Sequence, residues 1–439
     1  MCRWIIKRCT TRTILCVAMM TLLVAATAFR KNIKDYAFSH IYDYTPAKEC
    51  PHHTDVRGET KSVSQGNANL SALLKSLPNS VKVPLKKISF DVMLRDYKKK
   101  LNGLKTAGLW KANKVKPCEN EKEPGKACTE SSCPQPKSTT PNESLKSVLS
   151  TMSGLNNEDL SLLMGLFPEP HSGRRIMFVT AASSDHFNES QAHIKNLHQK
   201  VFPVTNNYTF VYYDLGLLSW QRKQLKKHCR CEVRSFPLKH MPWRVQNLMC
   251  YTWKPIIVQA NLPKADLLVW MDASVRFSNN KVINPLLHDV EKRGIVIYPG
   301  RYSVAQHTLK VTMKYMKEDI CSLAPLDELQ ATFIVFKNEL LIREAVVKPW
   351  VACALSPTCM CIRNPHFDLS CNVRMHNYNK CHRFDQSAVS IILNKLFRGH
   401  TDTFTSTYAM APQIYLRRGH RENYFHELER NVSKYKTTQ

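Results

Sequence analysis

Two features of the chain predict an α/β fold with a mostly parallel sheet and helices on both faces. From Arg174 onward, short runs that are apolar throughout alternate with stretches of helical period 10–15 residues long. Runs without a polar side read as strands buried on both faces, as in sheets covered by helices. The first is IMFVTAA (176–182), followed by a polar loop and a helical stretch, QAHIKNLHQKVF. YTFVYYDLG (208–216) is the second strand, SWQRKQLKKH a helix, and CEVRSF the third strand. A helical segment through LMCYTWKPIIVQANL leads into the strand ADLLVWMDA (265–273). After it come a helix around VINPLLHDVEKR, the strands GIVIYPG and QATFIVFKN, and the helices ELLIREAVVKPWVACAL and DQSAVSIILNKLF. No repeat period is evident, and one globular domain over 171–439 accounts for all of these elements.

The residues before that domain read differently. Arg3, Lys7, Arg8 and Arg12 precede an uncharged run from Thr13 to Phe29. As a helix that run is about 25 Å long, enough for a thin bilayer, and the cations favour a cytoplasmic amino end. The expectation is a cytoplasmic tail at 1–12, a signal anchor at 13–29 and a lumenal stem at 30–170. Ala26-Thr27-Ala28 also fits the small-residue cleavage pattern, so a cleaved signal peptide is the alternative. The stem is lysine-rich (DYKKK, KANKVK) and contains a Pro/Glu/Lys/Cys/Ser tract, a composition too polar to order itself fully. Its short amphipathic patches, LSALLKSL, LKSVLSTMSGL and LSLLMGLF, can pack onto the domain.

Asn69, Asn142, Asn188, Asn207 and Asn431 each open an Asn-x-Ser/Thr triplet, which agrees with a lumenal location. Sixteen cysteines are present, thirteen of them beyond the anchor, where disulfides are expected; the odd number implies at least one free thiol or a bridge to another chain. Cys353, Cys359, Cys361, Cys371, Cys381 and His382 offer a zinc site as the alternative, but paired C-x2-C units are missing. The net charge of +28 would suggest nucleic acid in another compartment. A lumenal chain without a recognition-helix or stacking-platform signature does not meet nucleic acid. Anionic glycans, nucleotide phosphates or a merely basic surface remain.

In open parallel sheets, ligands sit beyond the carboxyl ends of strands. In LLVWMDASVRF, Asp272 stands at such an end, where it can either serve a site or cap the following turn. Asp385 in CHRFDQSAVSIIL stands near a helix start, with the same two readings. The order YTWKPIIVQ, LLVWMDAS, QATFIVFKN, CHRFDQSAVSIIL resembles Golgi glycosyltransferases of the GT-A (Rossmann-like) fold, over roughly residues 174–420.

That resemblance implies a transferase that moves a sugar from a nucleotide-sugar donor to a glycan or glycoprotein, in a single-pass Golgi membrane protein, and the +28 charge suggests an acidic acceptor. It implies that Thr180, Ala181 and Asp185 meet the base and ribose, and that Asp272 belongs to an Asp-x-Asp holding ribose and Mn2+ or Mg2+. Asp385 becomes the base or a contact to the donor sugar, with Asp327 and Glu328 as rival bases. His420 in LRRGHRENYF stands where the family places a late metal-binding histidine. One departure is plain: Ser274 replaces the second Asp. Another ligand then completes the metal site, or cations such as Lys254, Arg276 and Arg301 do the metal's work, or activity is impaired. A non-catalytic glycan-binding protein is the runner-up. A sulfotransferase ranks below it, because TAASSDHF lacks the basic phosphate-cradling loop expected after the first strand.

Overall fold

Among the described residues six strands form the central sheet, in the order β3-β2-β1-β4-β7-β6. They are β1 (Ile176–Ala182), β2 (Tyr208–Asp214), β3 (Glu232–Ser235), β4 (Leu267–Met271), β6 (Ile295–Ser303) and β7 (Asp327–Lys337). β1 pairs in parallel with β2 and β4, and β2 with β3. β7 runs antiparallel to both β4 and β6, so it alone is reversed in an otherwise parallel sheet. This is the α/β architecture that the sequence predicts. A two-stranded antiparallel ribbon, β5 (Val275–Phe277) with β8 (Ile414–Leu416), was not anticipated, because three residues are too few to show a period.

This computed structural model describes residues 72, 74, 75, 82–113, 139–167, 175–362, 371 and 378–437. All of them belong to one compact unit within Gly58–Gln439. The expected tail at 1–12 and anchor at 13–29 lie outside the described residues. Among the described residues no helix is long and apolar enough to cross a membrane.

The wholly apolar strands are explained by two cores, one on each face. Met177, Val179, Val211, Tyr213, Leu268 and Trp270 enter one core, and their alternates Phe178, Phe210, Tyr212, Leu267, Val269 and Met271 enter the other. The period of two is present, but both phases are buried.

Three helices from the segment expected to be stem pack into the first core: α1 (Phe90–Thr106), α2 (Pro141–Leu149) and α3 (Asn157–Met164). In α1 the buried residues are Met93, Tyr97, Leu101 and Leu104, a helical stripe set within the lysine run. The lysines occupy the outer side, which is why composition alone reads as unfolded. Tyr97 donates to the Leu396 carbonyl and its ring meets Phe397 edge-on at 5.8 Å. α2 opens with a Thr140–Glu143 capping box and Pro141 in its first turn. The packed domain thus begins well before residue 171.

The remaining helices used below are α4 (Phe187–Asn196), α5 (Ser219–His228), α6 (Trp253–Asn261), α7 (Ile283–Arg293), α8 (Lys348–Leu355), α9 (Phe384–Leu396) and α10 (Tyr424–Thr437). Disulfides join Cys229–Cys231, Cys250–Cys361, Cys353–Cys359 and Cys371–Cys381. The five cysteines that could have formed a zinc site are all consumed in bridges. His307 does lie close to Cys371 and Cys381, but those two sulfurs are bonded to each other.

Candidate active site

Pairing sets what emerges at the carboxyl edge of the sheet. β4 pairs with β1 up to Val179↔Trp270. The Asp272 amide then donates to the Thr332 carbonyl of β7 at 2.9 Å, and its own carbonyl accepts from Val275 at 3.0 Å. That turn carries the chain from β4 into β5. The Asp272 carboxylate is not spent on capping it. Oδ1 accepts from Trp270 Nε1 at 2.9 Å and lies 3.0 Å from Lys254 Nζ.

Asp385 occupies the first turn of α9, yet no side chain caps that helix. Its Oδ2 lies 2.5 Å from the same Lys254 ammonium. Lys254, from the first turn of α6, also donates to the Ala331 carbonyl at 3.0 Å. Its Nζ stands 5.5 Å from the Trp270 ring centroid and 5.6 Å from that of Tyr251. Three elements distant in sequence thus place a strand-end Asp, a helix-start Asp and a buried Lys in mutual contact.

The electrostatics follow from burial. The Lys254 side chain is 2% exposed and that of Asp385 8%, whereas Asp272 keeps 24% of its side chain open. Burial works against the Lys254 charge, but Asp272 and Asp385 outweigh it and hold its pKa above the ordinary lysine value. Burial also pushes the Asp385 carboxyl up, the Asp272 charge adds to that, and Lys254 only partly offsets it. Asp272 is therefore the more open of the two carboxylates, and Asp385 the more enclosed.

The other predicted residues divide. Thr180 is fully buried in β1 and donates to the Met271 carbonyl at 2.8 Å, tying β1 to the strand that delivers Asp272. Ala181 is buried beside it. Asp185 is exposed in the loop after β1, accepts from the Ser183 hydroxyl, and lies 3.6 Å from His186. Ser274 is buried, and its carbonyl accepts from the Arg417 amide at 2.8 Å.

Several expected roles do not match the placement. Arg276 is 3% exposed, and its guanidinium donates to the carbonyls of Ala273, Val275, Glu189 and His420. It clamps the β5 turn and has little left for a donor phosphate. Glu328, a rival base by sequence, is 2% exposed and engages His307 Nδ1 at 2.7 Å and Arg383 Nη1 at 3.2 Å. Asp327 and Glu328 lie within β7, not just ahead of it, because pairing runs back to Ser303↔Asp327. Gly300 of β6 crosses so close to Glu328 that a Cβ there would sit 2.3 Å from its carbonyl oxygen. His420 stands 3.7 Å from Glu422 and, among the described residues, joins no group of three ligand atoms with Asp272. The Arg301 side chain lies outside what is described.

Two further residues escaped the sequence reading. Asp214 ends β2, where its carboxylate accepts from the Gly216 and Leu217 amides and pairs with Arg222. The Asp-x-Gly turn in YYDLG is the signal that would have found it. Arg417 follows β8, exposed, beside Ser274. No local motif marks it, because its position depends on the ribbon.

A divalent cation needs carboxylate oxygens with lone pairs to spare at about 2.0–2.6 Å. Asp272 Oδ1 already accepts from Trp270 and Lys254, and an ammonium stands between the two carboxylates. Ser274 supplies no second carboxylate. The residues present do not fit a bound metal in this arrangement.

A family described as "Protein of unknown function (DUF1647)" matches residues 146–259, which take in Lys254 but neither Asp272 nor Asp385. No curated protein matches the chain. Among solved structures, the bifunctional glycosyltransferase WbbM matches at 11% identity and TM-score 0.34, over 53% of this chain and 39% of its own. The galactosyltransferase LgtC, solved with donor and acceptor sugar analogues, matches at 13% identity and TM-score 0.30, over 58% and 94%. Core-mannan synthase A of Aspergillus fumigatus, in a Mn/GDP form, matches at 10% identity and TM-score 0.32, over 56% and 75%. These neighbours are glycosyltransferases, and at such scores no substrate or residue role is carried from them to this chain.

Proposed function

We propose that the protein is a glycosyltransferase that moves a sugar from a nucleotide-sugar donor to a glycan or glycoprotein acceptor in the secretory pathway. The observation that carries this reading is Asp272, partly open, held by Lys254 against Asp385 at the carboxyl edge of a mostly parallel sheet. Edges of this kind are where such sheets bind ligands. Transfer requires groups that orient the sugar and stabilise charge as the diphosphate departs. A partly open carboxylate fixed by a buried cation is suited to orienting hydroxyls of the donor. The disulfides among the described residues and the Asn-x-Ser/Thr triplets support the secretory setting. The +28 charge motivates an acidic acceptor, so transfer is expected to weaken with salt.

Hydrolysis and transfer with a panel of nucleotide sugars test the reading. Asp272→Asn is expected to lower turnover by roughly 100-fold, while stability changes by no more than about 1 kcal/mol. If no donor turns over and glycan binding persists in Asp272→Ala, the chain is a glycan-binding protein and not a transferase.

A further inference from the structure

We propose that the donor's diphosphate is met here by protein cations in place of a divalent metal, with Lys254 filling the position between Asp272 and Asp385 and Arg417 contacting the diphosphate beside Ser274. This inference rests on the nucleotide-sugar reading above. Lys254 Nζ has three donors and three partners: Asp272, Asp385 and the Ala331 carbonyl. It therefore holds the two carboxylates as an ion would, but it has no donor left for phosphate. Lys254 is a positioning residue.

The diphosphate charge then needs another partner. Arg276 is spent on four backbone carbonyls. The β5–β8 ribbon, pairing Val275 with Leu416, brings the next residue, Arg417, against Ser274. That is the position where the second acidic residue of the resembling family is missing. Arg417 is exposed, as is Arg418. A guanidinium offers bidentate bonds to phosphate oxygens, which a hydroxyl such as that of Ser274 cannot. In the transfer step, the bond from the anomeric carbon to the diphosphate oxygen breaks with its electron pair on that oxygen. The acceptor oxygen bonds to the carbon and releases its proton to a base. Arg417 stabilises the charge that collects on the leaving oxygen.

The experiment uses the full chain, calorimetric titration with UDP and GDP, and melting curves, each in EDTA and in Mn2+. One nucleoside diphosphate is expected to bind with a Kd that differs less than twofold between the two conditions. Arg417→Ala should weaken it at least tenfold without moving the melting point, since the residue is exposed. Lys254→Ser, which opens the space between two carboxylates, should gain a Mn2+-dependent rise in melting temperature that the unaltered protein lacks. Tenfold tighter binding in Mn2+ for the unaltered protein, or unchanged affinity in Arg417→Ala, overturns the proposal alone. Absence of binding to either nucleotide in both conditions overturns the donor reading and this proposal with it.

Discussion

The start of α9 serves two buried charge clusters that differ in a telling way. Asp385 reaches Lys254 and Asp272, while Arg383, two residues earlier, reaches Glu328 and through it His307. Phe384 between them has φ +39°, a backbone turn that lets adjacent side chains diverge. In the first cluster two carboxylates share one cation and one of them is partly open. In the second a single carboxylate, 2% exposed, divides its oxygens between a guanidinium and an imidazole. Charge left over at an opening suits ligand binding, and charge fully matched in the interior suits structure.

Removing the cation of the first cluster should have the largest effect. Lys254→Met leaves Asp272 and Asp385 without their shared counter-charge, and breaking a buried pair this way costs about 3–5 kcal/mol. Urea denaturation at neutral pH measures it. The deficit should shrink in acid, as the stranded carboxylates take up protons. A loss below about 1 kcal/mol would mean that the ammonium is not the link between the two.

The second cluster predicts a smaller and purely structural loss. Glu328→Gln keeps the shape but weakens the contacts to Arg383 and His307, for about 2 kcal/mol of stability. Turnover per folded molecule should stay within about twofold, against roughly 100-fold lost in Asp272→Asn. If instead Glu328→Gln loses turnover with stability intact, the two clusters exchange roles and Glu328 is the base.

The first cluster should also leave a signature in pH. The raised Asp385 pKa means that the folded state binds this proton more tightly than the unfolded chain. Stability therefore falls as pH rises from the ordinary carboxylate value through the raised one. Lys254 acts at the other end: its raised pKa contributes stability that is full below the ordinary lysine value and is lost as pH climbs through the raised one. Asp385→Asn should flatten the acid-side slope and, by removing a carboxylate from Lys254, bring the alkaline loss to lower pH. Stability against pH for both proteins checks this, and superimposable curves would refute it.

How much of this was legible beforehand depended on range. Strands β1, β2 and β4 and the site carboxylates Asp272 and Asp385 could be read from local apolar runs and their ends. The reversed direction of β7 could not, because an apolar strand carries the same pattern in either sense. Helix α1 was hidden by its lysines, and the use of Arg276 by contacts to Glu189 and His420, which lie far away in sequence. Lys254 was readable as a candidate cation, but not its place between two carboxylates, which needs α6, β4 and α9 to meet.

Thr180 offers the smallest and most specific test. Its hydroxyl donates to the Met271 carbonyl across the β1–β4 boundary, one residue before Asp272, in a fully buried position. Thr180→Val retains the branched shape, so packing changes little, but it leaves that carbonyl short of a partner. The expected loss is about 1 kcal/mol, from the urea midpoint at unchanged slope. Because Met271 carries the chain directly into Asp272, nucleotide affinity reports whether the tie also sets the carboxylate. An affinity within about twofold of the unaltered protein assigns that task to Lys254 and Trp270, which hold Asp272 through its side chain. A tenfold loss with so small a change in stability would instead show that the backbone at the end of β4 positions Asp272, and that Lys254 only balances its charge.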